Sequence, residues 1–171
     1  MKIILLGYMG SGKSTIGKLL AKSLQLPFID LDDYIELHEE LTITEIFETK
    51  GEIYFRKIES IYLNKVLQKK DSFILSIGGG TPCYGNNISD IKNSEAISIY
   101  LQASIPLLVK RLKLNKEKRP LIASFNDEQL IEYIGKHLFE RNNFYNKANH
   151  IVKTDNKNRQ TIIDEIKELL N

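Results

Sequence analysis

The stretch Gly7-Tyr8-Met9-Gly10-Ser11-Gly12-Lys13-Ser14-Thr15 fits the phosphate-cradling pattern G-x-x-x-x-G-K-[ST] at every fixed position. Its glycines let the backbone bring N–H groups against phosphate oxygens without a Cβ in the way. An anion held there sits at a helix N-terminus, where unpaired N–H donors and the helix dipole both favour negative charge. Lys13 adds a point charge for the outer phosphates and Ser14 a hydroxyl for Mg²⁺. Just before the loop, Lys2-Ile3-Ile4-Leu5-Leu6 is a short apolar run suited to a buried parallel strand, and Ile16, Leu19, Leu20 and Leu24 recur at helical spacing after it. Strand, glycine loop and helix are all in place. Gly10, Ser11, Gly12, Lys13, Ser14 and Thr15 are therefore the candidate nucleotide-binding residues.

The 171 residues suit one domain, residues 1–171, and 42% hydrophobic with 27% charged residues is ordinary for a globular chain. With 24 basic against 22 acidic residues the formal charge is only +2, so no global field selects nucleic acid or an anionic membrane. Cys83 is the single cysteine, which rules out an intramolecular disulfide and fits a reducing compartment. The N-terminal apolar run is too short for a signal peptide and no run reaches membrane-spanning length, so a cytoplasmic protein is the expectation.

Leu26-Pro27-Phe28-Ile29-Asp30-Leu31-Asp32-Asp33 reads as a turn, a short strand and an acidic end. Ligands in an open parallel sheet collect beyond the carboxyl ends of strands, so Asp30 and Asp32 are expected in the same crevice as the glycine loop, with Asp33 as the cap of the next helix. Thr42-Ile43-Thr44-Glu45 has the form of a capping box opening a short helix that stops at Gly51, before a longer helix from about Glu52 to Lys69. On that helix Arg56 and Glu59 are three apart and can touch; from spacing alone a solvated ion pair is expected.

Ser72 to Ile77 is another strand, with Gly78-Gly79-Gly80 at its carboxyl end, either a close backbone approach to a ligand or a flexible turn. A helix near Ile88 to Asn93, a strand at Ala96 to Leu101 and a helix from about Ile105 to Leu114 keep the β and α elements alternating, as in a helix-covered parallel sheet. Residues Asn115 to Asp127 lack clear periodicity and open on Lys116-Glu117-Lys118-Arg119-Pro120, just after Lys110, Arg111 and Lys113. A solvated face or a nucleic-acid patch would share that charge, but only Phe125 supplies an aromatic nearby, so a mobile lid over about 112–127 is preferred. A helix from Asp127 to about Tyr145 carries Leu130, Ile131, Ile134, Leu138 and Phe139 on its apolar side and Arg141 near its end, where it could complement the helix dipole. A strand at His150 to Val152 and a helix through Ile162, Ile163, Ile166 and Leu169 follow. His38, His137 and His150 are scattered and read as surface or packing residues, and Cys83 as a loop thiol without an adjacent base.

Together these pieces resemble the shikimate kinases, enzymes that phosphorylate the 3-hydroxyl of shikimate with ATP. The resemblance is carried by the glycine loop, Asp30-Leu31-Asp32 with Ile35-Glu36, Phe55-Arg56-Lys57-Ile58-Glu59, Leu75-Ser76-Ile77-Gly78-Gly79-Gly80 and Arg119-Pro120-Leu121. It implies a three-layer P-loop kinase fold of α/β class: a central parallel sheet flanked by helices, a lid, and a helical substrate-binding region at about 31–60. It implies that Lys13 and Arg119 contact the transferring phosphate, that Ser14 and Asp30 hold Mg²⁺, and that Arg111 with the Asp155-Asn156 loop flanks adenine. Asp32, Arg56, Gly78, Gly79, Gly80 and Arg141 would line the shikimate site, with Lys13, Asp32 and Arg119 as the catalytic set and a monomer as the working unit. Arg141-Asn142-Asn143-Phe144-Tyr145 departs from the family's R-x-P-x-Y in having Asn at the proline position.

The chemistry agrees with those roles. Shikimate carries a carboxylate and three hydroxyls, and arginines supply a bidentate fork that lysine cannot. Phosphoryl transfer asks mainly for positioning and charge neutralisation, so Asp32 can orient the reacting hydroxyl or take its proton. The same loop also serves gluconate and nucleoside monophosphate kinases, and nucleotide-dependent switches. Asn146-Lys147-Ala148-Asn149 resembles the guanine-reading N-K-x-D of the switches but lacks its aspartate and precedes the strand it should follow.

Overall fold

Alternate residues of the first strand, β1 (Lys2–Leu6), enter two different cores. Ile3 and Leu5 face one, and Ile4 and Leu6 the other, all fully buried. A strand covered on both faces reads as an unbroken apolar run for this reason. The computed structural model describes residues 1–114 and 122–170. Beside β1 lie β2 (Phe28–Asp30), β3 (Phe73–Ser76), β4 (Ile97–Gln102) and β5 (His150–Lys153) in the order β2-β3-β1-β4-β5, every pairing parallel.

Seven helices flank this sheet among the described residues: α1 (Lys13–Leu24), α2 (Leu31–Glu39), α3 (Ile43–Leu67), α4 (Asn87–Asn93), α5 (Ile105–Lys113), α6 (Asp127–Tyr145) and α7 (Arg159–Leu169). Helices α1 and α7 cover the Ile3 face through Ile16, Leu20, Ile162 and Ile166. The opposite face takes α3, α5 and α6, with Phe55, Val66, Leu108, Leu112 and Ile134 in its core. The central strand has β3 on one side and β4 on the other, so the order reverses there and a crevice opens beyond its carboxyl end. That is where the glycine loop sits.

The capping box forms as expected, with Thr42 N–H donating to Glu45 Oε2 at 2.8 Å and Glu45 N–H to Thr42 Oγ1 at 3.2 Å. Gly51, at φ 81° and ψ 171°, breaks the helical path as its sequence position indicates, but helical bonding resumes at once, so α3 is one kinked element rather than two. Three expectations change. Asp30, not Asp33, caps α2, because its Oδ1 accepts from Asp32 N–H at 3.2 Å. On α6 the buried stripe is Leu130, Ile134, Leu138 and Tyr145, whereas Ile131 and Phe139 face outward, Phe139 being 88% exposed. Leu19, on the apolar spacing after the glycine loop, is also exposed. The faces meeting the sheet are narrower than the apolar pattern.

Candidate active site

The glycine loop joins β1 to α1 and its geometry follows from its residues. Gly7 has φ 146°, and a Cβ there would lie 2.7 Å from Leu101 O, a contact with backbone that cannot yield. Gly12, at φ 103°, stands just ahead of α1, and its carbonyl accepts Ile16 N–H at 2.8 Å. Lys13 is buried, and its Nζ donates to Gly7 O at 2.8 Å and Tyr8 O at 3.1 Å, which holds the ammonium against the loop. From α5, Arg111 Nη1 donates to Gly10 O at 3.1 Å and Ser11 O at 3.0 Å and braces the outer side. Gly10, Ser11, Gly12, Lys13, Ser14, Thr15 and Arg111 all line one cavity of about 610 Å³, which also reaches Asp30, Asp32, Ser76, Gly78 and Gly79.

Ser14 and Asp30 meet at the floor of this cavity. Ser14 Oγ donates to Asp30 Oδ2 at 2.8 Å and lies 3.5 Å from Ser76 Oγ. A hydroxyl and a carboxylate side by side beneath a phosphate cradle suit Mg²⁺, which prefers oxygen ligands, keeps several waters and is shared with substrate phosphates. No group of three or more His, Cys, Asp or Glu that could hold a metal occurs among the described residues.

Asp32, in the first turn of α2, is half-buried beside these groups. Burial raises its pKa to about 6, Asp30 and Glu59 add to the rise, and Lys13 opposes it. It is thus a carboxylate poised to change charge near neutral pH, a property suited to accepting a proton or a hydrogen bond.

The triple glycine is not a loose turn, and the close approach it makes is to the protein's own side chains. A Cβ on Gly78 would lie 2.9 Å from Thr81 Oγ1, 3.3 Å from Glu59 Oε1 and 3.5 Å from Asp32 Oδ1. One on Gly80 would lie 3.0 Å from Arg56 Nη2. Gly79 O accepts the Tyr145 hydroxyl at 2.5 Å, which ties the end of α6 to this corner. The carbonyls of Gly78 and Gly80 then accept Thr81 N–H and Cys83 N–H at 3.1 and 2.9 Å, folding Thr81–Cys83 into a 3₁₀ turn.

The Arg56 and Glu59 pair overturns its expectation as a solvated contact. Arg56 Nη1 donates to Glu59 Oε2 at 2.9 Å, and Glu59 is 1% exposed, its other oxygen accepting Thr81 Oγ1 at 2.6 Å. The cause is the packing of α3 onto the 3₁₀ turn, which spacing along α3 does not reveal. Tyr84 lies over the Arg56 guanidinium, 4.0 Å from ring centroid to Cζ, and its hydroxyl donates to Glu52 Oε1 at 3.1 Å. Arg141 comes to the same side of the molecule, over the Tyr8 ring at 5.6 Å. Cys83 lies within reach of both arginines; their charges favour its thiolate, but burial outweighs them and pushes the thiol up to about 11.

The remaining candidates lie at the edges. Asp155 accepts from Ser104 N–H at 3.0 Å and from the Ser104 hydroxyl, at the start of α5, and Asn156 takes a left-handed conformation at φ 56°. Beyond them Lys157 and Arg159 line the large cavity, two cations that no motif singled out. Arg119 and residues 115–121 of the expected lid lie outside the described residues. Asn149 accepts from Ser98 N–H at 2.8 Å and Ser98 Oγ at 2.7 Å, so the N-K-x-N stretch secures β4 rather than reading a base.

The family model described as shikimate kinase matches residues 9–171. The shikimate kinase of Flavobacterium johnsoniae is 49% identical over 169 residues, which cover 99% of this chain and 98% of that protein. Among solved structures, a shikimate kinase from Bacteroides thetaiotaomicron superposes with a TM-score of 0.91 at 34% identity, covering 99% of this chain and 98% of that one. A shikimate kinase from Acinetobacter baumannii, solved in complex with shikimate, superposes with a TM-score of 0.86 at 32% identity, covering 99% and 92%.

Proposed function

The chain belongs to the shikimate kinase family, and we infer that it transfers the terminal phosphoryl group of ATP to the 3-hydroxyl of shikimate, giving shikimate 3-phosphate and ADP. The observation that carries this reading is that Asp32, Gly78 and Gly79 line the same cavity as Lys13 and Ser14, so acceptor and donor groups share one space. The Asp32, Arg56 and triple-glycine set suits a hydroxylated carboxylic acid better than a nucleotide acceptor; gluconate is also such an acid, and the full-length identity to a shikimate kinase favours shikimate over it.

In the proposed site the loop N–H groups and Lys13 hold the donor's phosphates. Ser14 and Asp30 would hold Mg²⁺, which would supply charge neutralisation at the phosphate oxygens. Arg56 and Arg141 take the acceptor's carboxylate, and the backbone of Gly78 to Gly80 lets the ring lie close. Asp32 accepts the hydrogen of the 3-hydroxyl and aims its oxygen at the donor. Once ionised above about pH 6, it can take the proton. Arg119 is proposed as the second cation on the transferring phosphate, and Arg111 and the Asp155-Asn156 loop as neighbours of the base. The sheet and its helices are proposed to work as a monomer in the cytoplasm; among the described residues no helix is long and apolar enough to cross a membrane.

A coupled ADP-release assay tests the reaction. Turnover on addition of shikimate is expected; no turnover with shikimate, together with turnover on gluconate or a nucleoside monophosphate, would overturn it.

A further inference from the structure

Helix α6 presents Tyr133, His137, Arg141 and Tyr145 at intervals of four, one above another on a single face. All four touch the loops of the site or one another. The Tyr133 ring lies against His137 with centroids 4.2 Å apart and planes tilted by 54°, His137 Nδ1 is 2.9 Å from the Tyr8 hydroxyl, and Arg141 lies over the Tyr8 ring. Tyr8 belongs to the phosphate loop and is 1% exposed, and its carbonyl accepts from Lys13 Nζ at 3.1 Å. One residue therefore meets the donor-side lysine through its backbone, an acceptor-side arginine through its ring, and α6 through its hydroxyl.

We propose that Tyr8 and His137 form a positioning pair that fixes Arg141 for the acceptor's carboxylate. This rests on the reading of Arg141 as an acceptor-binding residue. The hydrogen bond joins residues 129 positions apart, and it fastens α6 to the phosphate loop one helical turn before Arg141. On the other side of Arg141, one turn later, the Tyr145 hydroxyl donates to Gly79 O and fastens the same face of α6 to the loop after β3. An arginine held from both sides keeps its guanidinium plane, which a bidentate carboxylate contact requires. Burial, then Arg141 and Lys136, lower the His137 pKa, against Glu140 which raises it, and so favour the neutral imidazole, which can accept from or donate to the Tyr8 hydroxyl.

The test uses Tyr8→Phe, which keeps the ring under Arg141, and His137→Phe, which keeps a ring against Tyr133. Each is expected to raise the KM for shikimate about fivefold, the equivalent of one ordinary hydrogen bond, with the KM for ATP moving less than about twofold. His137→Asn, whose amide offers a donor or an acceptor at the place of Nδ1, is expected to restore most of the loss. In an Arg141→Ala background, Tyr8→Phe is expected to add nothing further. If Arg141→Ala raises the shikimate KM but Tyr8→Phe and His137→Phe leave it unchanged, or raise both KM values alike, the pair is refuted while the acceptor reading stands. If Arg141→Ala leaves the shikimate KM unchanged, the acceptor reading of Arg141 fails and the pair loses its role with it. Thermal unfolding of each variant separates these outcomes from a general loss of fold.

Discussion

Arg56 donates to Glu59 at 2.9 Å, and Glu59 is almost wholly withdrawn from solvent. Such a carboxylate is tolerable only because both oxygens are engaged, one by Arg56 and one by Thr81. Glu59→Ala leaves the Arg56 guanidinium without its main partner and the Thr81 hydroxyl without an acceptor. A loss of about 3 kcal/mol in urea unfolding is expected, with a raised KM for shikimate. Wild-type stability in that variant would show that the pair has little structural weight.

The Asp32 carboxyl supplies a pH dependence whose sign is fixed. Its pKa is raised from 3.8 to about 6 in the fold, so between those values the native state binds more protons than the unfolded chain. Stability therefore falls as pH rises from about 4 to 6. Asp32→Asn removes that slope and is expected to stabilise the protein at pH 7 by about 1 to 3 kcal/mol. The same ionisation should give wild-type kcat/KM for shikimate an acid limb near pH 6, while Asp32→Asn lowers kcat throughout. A profile flat from pH 5 to 8 would remove Asp32 as the titrating group.

Gly80 permits a substitution that separates function from folding. A Cβ there meets the end of a flexible side chain, Arg56, at 3.0 to 3.3 Å, and Gly80 has an ordinary φ of −90°. Arg56 can move aside, so Gly80→Ala should cost less than about 1 kcal/mol of stability. The displaced guanidinium should raise the KM for shikimate about tenfold, a shift of about 1.4 kcal/mol. Unchanged steady-state kinetics would mean that the observed position of Arg56 is unimportant.

Ser14 and Asp30 make the reaction's metal dependence testable. Chelation with EDTA should abolish turnover and Mg²⁺ restore it. Ser14→Ala should raise the Mg²⁺ concentration for half-maximal rate by about tenfold, since the hydroxyl beside Asp30 is lost. An unaltered Mg²⁺ titration would exclude Ser14 from the metal's shell.

The fold and the donor half of this cavity were legible in sequence because their chemistry is local. Strand, glycine loop and helix run through consecutive residues 2–24, and each element carries its own signal in spacing or in glycine placement. Asp30 was legible as a crevice acid at a strand end, although its second task as the cap of α2 was assigned to Asp33. The acceptor half was read only in outline. Arg56 and Glu59 gave the spacing of an exposed pair, and burial came from a turn 22 residues beyond Glu59. Tyr145 and Gly79 are 66 residues apart, and nothing near either one announces the bond. Lys157 and Arg159 reach the cavity only because α7 packs beside α1. Contacts made between distant elements carry no periodicity, so they become visible only when the chain is folded.

The most direct measurement compares kcat/KM for shikimate with that for shikimate methyl ester, in the wild-type protein and in Arg56→Ala. If Arg56 reads the acceptor's carboxylate, the wild type favours the acid by about 2 to 5 kcal/mol, and Arg56→Ala loses most of that preference. Equal use of acid and ester by the wild type, or a preference that survives in Arg56→Ala, would contradict it.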